Sequence, residues 1–237
     1  MPGAPHAVTI RTPGARLIWY ASMGSRSGAA IAGLGALDGW HGYLVRDDYA
    51  GWHHFDDRLA GVQQCAAHLI RHCTGVLEPH PQWQAWAGQV RGILREAAAA
   101  VQAARNDGKT QLGPVLLADL RARYDEQVAR GITTSRLRDW HKGNIPGCNL
   151  AKRLQDKASQ AWLFASNFKI PWTNNASEQA LKGTKRHQAV SGYWHTPATL
   201  ASYCRVRSYL VSARGHGIRA TDAIHTGKPW LPVPVST

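Results

Sequence analysis

The chain has 237 residues with 44% hydrophobic and 18% charged side chains, enough apolar content for one sizeable core or a core with an insertion, and not the composition of a disordered chain. No run of about 20 apolar residues occurs, which excludes a membrane-spanning helix. The formal charge is +13 with a pI near 10.1, which favours polyanionic partners and, among them, nucleic acid.

Ala7 to Thr12 is β-branched and short, Pro13-Gly14 is a turn signal, and Leu17 to Ala21 is apolar; together they predict a β-hairpin. Gly28 to Gly35 predicts a short, tightly packed helix. Tyr43 to Arg46 predicts a third, buried strand ending on Asp47-Asp48, and Val62 to Cys65 a fourth that runs into a helix from Ala66 to about Leu77. From Pro81 the period changes. Trp83, Trp86, Val90, Ile93, Leu94, Ala97, Val101 and Ala104 recur at three- and four-residue steps, one face of a long helix stopped by Asp107-Gly108. Leu117, Leu120, Tyr124 and Val128 repeat the spacing, with Gly131 predicted as a left-handed cap. Arg136 to Cys148 reads as an exposed basic loop, and Leu150, Leu154, Ala158, Ala161 and Trp162 as one further helix.

Pro171 disfavours helix at the residue before it, so a new element is expected after it. In Asn174-Asn175-Ala176-Ser177-Glu178, Asn175 is a good N-cap and Glu178 falls three residues later, which on the residues alone reads first as a capping box; the alternative is a metal-binding carboxylate at the first turn of a helix. Thr196-Pro197 predicts the cap and first turn of a helix with Leu200, Tyr203, Val206, Leu210 and Ala213 inward, and Thr221 the cap of a last short helix. The tail from Lys228 is predicted extended. Between Arg130 and Arg219 there are 15 Lys and Arg against three acids (Asp139, Asp156, Glu178), a net of +12 that holds nearly all of the chain's excess charge.

Four cysteines (Cys65, Cys73, Cys148, Cys204) form no Cys-x-x-Cys pair, so no disulfide framework is expected. Cys65-x-x-His68, with His72 and Cys73 nearby, can open a zinc site but has no second ligand pair at finger-like spacing. Met1 to Ala15 is interrupted by three prolines and has no apolar core, so no signal peptide is expected and the protein reads as soluble and cytoplasmic. A strand-end aspartate and a helix-start glutamate, Asp47 and Glu178, suit divalent-metal chemistry on phosphodiesters. Mg²⁺ prefers oxygen ligands, and two metals activate the nucleophile and stabilise the leaving oxygen. Asp47 and Asp48 should point to opposite faces of the strand and not share one site.

Several runs together resemble one family. Gly42 to Trp52, Cys65-Ala66-Ala67-His68-Leu69-Ile70-Arg71, Asn174-Asn175-Ala176-Ser177-Glu178, Val190-Ser191-Gly192 and Cys204 to Tyr209 are similar, in this order, to segments of the insertion sequence 66 family of bacterial DDE transposases. The resemblance spans Ala7 to Pro232. It implies an α/β fold with a ribonuclease H-like core (a small mixed sheet), a large all-helical insertion and C-terminal helices. The implied organisation is core at 1–79, insertion at 80–166, core with the glutamate helix at 167–227, and a tail at 228–237. It implies catalytic and metal-binding roles for Asp47 and Glu178 with Mg²⁺ or Mn²⁺, and DNA contacts, at transposon ends, by Lys182, Lys185, Arg186, Arg205 and Arg207. A solvated basic helix face is the plainer account of those five. Thr173 stands where the family has aspartate, and Asp48 where it has glycine.

The family's first catalytic aspartate lies on a strand before Ala7, and no acid occurs here before Asp38. A 5′-truncated reading frame is therefore expected. So are a missing first strand, an incomplete two-metal site with little transposition by this chain alone, and an unpaired strand edge that favours a homo-oligomer. The competing expectation is a non-catalytic basic DNA-binding remnant. An RNA-binding module is disfavoured because its aromatic-basic sheet motif is absent.

Overall fold

A computed structural model describes residues 6–136, 146–191, 194 and 196–226. The fold is mixed α/β and mostly helical, with two small two-stranded sheets. The chain forms two compact units, residues 40–175 and residues 1–39 with 176–237. Among the described residues no helix is long and apolar enough to cross a membrane.

In the unit of residues 1–39 and 176–237, β1 (His6–Arg11) and β2 (Ile18–Met23) pair antiparallel, with Val8 opposite Ala21 and Thr9 opposite Tyr20. The predicted hairpin is present, and Pro13-Gly14 turns it because Gly14 takes φ 73°, a left-handed angle that a Cβ would penalise. The short helix α1 (Gly28–Ala32) is capped by Ser27, whose Oγ accepts from the Ala30 N–H at 3.2 Å. Ile18, Tyr20, Trp194, Leu200 and Cys204 make this unit's core, with Ala180, Leu181 and Tyr203 packed against it.

The outer edge of β2 is covered by a helix. Ser212 Oγ accepts from the Ile18 N–H at 2.9 Å and donates to the Ile18 carbonyl at 3.1 Å, and Ser208 Oγ accepts from the Tyr20 N–H at 2.8 Å. Two serines one turn apart thus replace part of a neighbouring strand, satisfying backbone groups that would otherwise be buried unpaired. They lie on α8 (Pro197–Gly215; α7 is defined below), whose cap is the predicted Thr196 accepting from the Thr199 N–H at 3.1 Å. This polar stripe changes which face of α8 turns inward. Leu200, Cys204, Ser212 and Ala213 are buried, whereas Val206, expected inside, is 58% exposed. The last helix, α9 (Ala220–Thr226), begins one residue before Thr221, the expected cap. The predicted tail from Lys228 lies outside the described residues.

In the unit of residues 40–175, β3 (Tyr43–Arg46) and β4 (Gly61–Gln64) are parallel, in the register Tyr43 to Gly61 and Arg46 to Gln64. A parallel pair needs a crossover of a dozen or so residues, and the 3₁₀ segment Ala50–Arg58 supplies most of it. Burial along the whole of β3 is expected from its sequence, yet only Arg46 is buried and Tyr43 is exposed. Fully buried Gln63 ties β4 to the helices: its Oε1 accepts from the Phe164 N–H at 2.9 Å and its Nε2 donates to the Ala161 carbonyl at 3.3 Å.

Helix α2 spans Ala66–Leu77, as its sequence predicts. Helix α3 (Ala85–Asn106) buries Trp86, Val90, Ile93, Leu94, Ala97, Val101 and Ala104, the predicted face. Trp83 falls ahead of the helix and is 44% exposed. Helix α4 (Pro114–Arg136) runs straight through Gly131, which is buried and not left-handed. The glycine is there for a close approach: a Cβ would meet the Trp86 ring at 2.6 Å. Trp86 is itself buried and donates Nε1–H to Gln84 Oε1 at 2.7 Å, so the ring has little freedom to retreat. Gly131→Ala is therefore expected to destabilise by about 1–3 kcal/mol, despite alanine's better helix propensity. Denaturant titration checks this, and a stabilised variant would contradict the packing described.

The single helix expected at Leu150 to Trp162 is two. Helix α5 (Pro146–Asp156) begins earlier than expected and takes Gly147 and Cys148 out of the predicted exposed loop into buried positions. Helix α6 (Ala158–Ser166) follows a break at Lys157, with φ −107° and ψ 25°. Residues 137–145 of that loop lie outside the described residues. Helices α2 to α6 share one core, in which Tyr124 stacks edge-on against Trp162 and donates to the Leu154 carbonyl at 3.0 Å.

Candidate functional site

The C-terminal end of β3 carries two adjacent acids in different environments. The Asp48 side chain is only 10% exposed and is surrounded by donors. Its Oδ1 receives Lys157 Nζ at 2.6 Å, Gln64 Nε2 at 3.0 Å and His53 Nε2 at 3.1 Å. Its Oδ2 lies 3.4 Å from Arg153 Nε, and the Arg46 guanidinium is 3.8 Å from Oδ1. Burial alone would raise the pKa of this carboxyl. The hydrogen bond and charge of Lys157, then the charge of Arg153 and the bond from His53, outweigh burial and hold it below the ordinary carboxylate value.

Asp47 is half-buried. Its Oδ1 accepts from the Tyr49 N–H at 3.2 Å, and its carboxylate makes no ion pair among the described residues. Arg46 fixes the backbone beside it, donating from one guanidinium nitrogen to the Asp47 carbonyl at 2.8 Å and from the other to Asp56 Oδ2 at 2.5 Å. Strand alternation predicts that the two acids diverge; both fall just past β3, which ends at Arg46, and their partners differ. The donor chemistry separates them as metal ligands. Asp48 is saturated by ammonium and guanidinium groups that repel a cation, while Asp47 keeps oxygen lone pairs for one.

Cys73 and His72 are ill-suited to the zinc site that the motif on α2 could open. Cys73 is fully buried, which pushes its thiol up to about 12, far from the thiolate that zinc needs. His72 accepts at Nδ1 from Arg153 at 2.8 Å. Cys65 Sγ accepts from the Asn174 N–H at 3.4 Å.

Burial first, then the charge of Arg153, lowers the His72 pKa, with Asp48 opposing. The unfolded chain takes up this proton near pH 6.5 while the native protein resists it, so the His72 contribution is complete above 6.5 and is lost as pH falls below it. Thermal melts from pH 8 to pH 5 are expected to show this decline. His72→Gln, which keeps an acceptor for Arg153, should flatten it; an unchanged slope in that variant would contradict the assignment.

Glu178 is half-buried in the first turn of α7 (Asn175–Ser191), where the helix dipole favours an anion. Asn175 opens this helix rather than capping it from outside. Ala180, Leu181 and Thr184 form its inward side, and the Tyr20 hydroxyl donates to the Ala180 carbonyl at 3.1 Å. Lys182, Lys185 and Arg186 follow Glu178 at four, seven and eight residues, hence on its face, and are exposed. None of the three forms an ion pair among the described residues. On α8, Arg205 is exposed, but Arg207 is folded inward, its guanidinium 5.2 Å from the Tyr20 ring centre and 5.8 Å from that of Tyr203. It also lies so close to Gly183 that a Cβ there would collide with it. Asp47 belongs to the unit of residues 40–175 and Glu178 to the other.

The family model described as Transposase IS66 family matches residues 6–201, most of the chain. No curated protein and no solved structure matches it. The matched span includes both strand pairs, the strand end at Asp47, the helical block and the glutamate helix, so the chain belongs to the Transposase IS66 family.

Proposed function

We propose that this chain carries the catalytic core of DNA cleavage and strand transfer in transposition, with a ribonuclease H-like arrangement and with Asp47 and Glu178 as its acids for Mg²⁺ or Mn²⁺. The observation that carries this is the division of labour at the end of β3 within a family-matched span: Asp48 is neutralised by Lys157 and Arg153, and the Asp47 carboxylate has no cation partner among the described residues. Bound metal would supply activation of the attacking hydroxyl and stabilisation of the leaving oxygen. The chain's own residues do the rest. Asp47, on a backbone fixed by Arg46, offers a carboxylate held by the Tyr49 N–H. Glu178 offers a second at a helix start, and Lys182, Lys185 and Arg186 meet DNA phosphates, with Arg205 and Arg207 on α8 as further contacts.

A second function, DNA binding without catalysis, is favoured by the exposed basic face of α7, which needs neither acid. The test is Mn²⁺- or Mg²⁺-dependent nicking of DNA containing transposon ends, beside a Glu178→Gln control. Nicking by the parent that disappears in the control supports the catalytic function. Salt-sensitive binding with no nicking in either supports the second.

A further inference from the structure

The carboxylate of Asp48, with its side chain 10% exposed, gathers five side-chain partners. Those partners come from four places: Arg46 on β3, His53 on the 3₁₀ crossover, Gln64 on β4, and Arg153 and Lys157 at the end of α5. The shortest contact, 2.6 Å, is made by Lys157, the residue at which α5 breaks from α6. Lys157 Nζ also lies 3.1 Å from His53 Nε2. On the other side of Asp47, Arg46 is clasped by Asp56, which Gln160 of α6 also approaches, Nε2 to Oδ2 at 3.4 Å. Asp47 is thus the one residue of the Arg46-Asp47-Asp48 run whose side chain is not locked into this network, while the side chains on both its sides reach the helical block, Asp48 directly and Arg46 through Asp56.

We infer that Asp48 and Lys157 are positioning residues, a part-buried ion pair that fixes the end of β3 to the α5–α6 junction and thereby sets the direction in which Asp47 offers its carboxylate to a divalent cation. Groups that orient a ligand carboxylate without touching the metal are worth about 10–100-fold in metal affinity. This rests on Asp47 being a metal-binding acid, as proposed above. Lys157 reaches Asp48 from the position at which α5 gives way to α6, so the contact ties β3 to the junction between the two helices. Removing one member of a part-buried pair leaves the other with one partner fewer, so a stability cost accompanies any effect on metal.

The experiment uses the full chain and its variants Lys157→Ala, Lys157→Arg, Asp48→Asn and Asp47→Asn. Mn²⁺ affinity is followed by water-proton relaxation, DNA affinity by filter binding, and folding by circular dichroism at a temperature where every variant is native. The expected result is Mn²⁺ binding weakened about 10–100-fold in Lys157→Ala and Asp48→Asn, largely restored in Lys157→Arg, with DNA affinity unchanged in all of them. Should Asp48→Asn fail to fold, the two Lys157 variants carry the comparison. Folded Lys157→Ala with parental Mn²⁺ affinity, while Asp47→Asn loses it, overturns the positioning role and leaves the assignment of Asp47 standing. Parental affinity in Asp47→Asn overturns both.

Discussion

Glu178→Gln and Asp47→Asn are each expected to lower metal-dependent nicking of end-containing DNA by about 10³-fold or more, with DNA affinity within about twofold of the parent. Each change replaces a carboxylate by an amide of the same shape, so packing is conserved and only the charge that holds a cation is lost. Acids that share metals act as a unit, so the double variant should be little worse than either single one. Asp48→Asn serves as the internal contrast. Its carboxylate faces Lys157, Arg153 and Arg46, so its loss leaves part-buried cations with one partner fewer and is expected to cost about 1–3 kcal/mol of stability, which neither Asp47→Asn nor Glu178→Gln should do. Equal nicking in parent and both single variants would contradict the roles given to the two acids.

The second large effect concerns DNA affinity. Lys182→Ala, Lys185→Ala and Arg186→Ala combined should lower the slope of log affinity against log salt by about 3, near one unit for each phosphate that is no longer neutralised. These three cations are exposed and form no ion pair among the described residues, so no described acid competes for them. Arg123 on α4 is a suitable control. It is as charged and partly exposed, but it is paired with Glu96 at 2.7 Å and Asp119 at 3.2 Å, and its removal should leave the slope unchanged. Arg207→Ala is expected to differ again. Its guanidinium lies over two rings and against Gly183, so part of its loss should appear as reduced stability. An unchanged salt slope in the triple variant would remove α7 from the DNA interface.

Much of the architecture is legible in the sequence because its cause is local. The hairpin follows from β-branched residues flanking Pro13-Gly14, α2 from an apolar run of its own, and the buried face of α3 from spacing alone. What escapes such a reading is set by partners distant in the sequence. Gly131 looks like a helix stop until the Trp86 ring is found against it. The break at Lys157 has no proline or glycine to announce it, and the residue's partner there is Asp48, 109 residues earlier. Ser208 and Ser212 look like solvent-facing residues of α8, yet they face inward to pair with the edge of β2 and turn Val206 outward.

The acids show the same division. Alternation along β3 implies that Asp47 and Asp48 diverge, but which of them is neutralised depends on α5 and the α5–α6 junction, far along the chain. The one histidine of α2 engaged by Arg153 is likewise invisible from its motif.

The most direct test of the central claim is Mn²⁺ titration of the intact chain, followed by water-proton relaxation, beside Asp47→Asn, Glu178→Gln and the surface control Glu96→Gln. Saturable binding is expected of the parent and of Glu96→Gln, weakened about tenfold or more in each of the other two. Identical curves for all four proteins would contradict that claim.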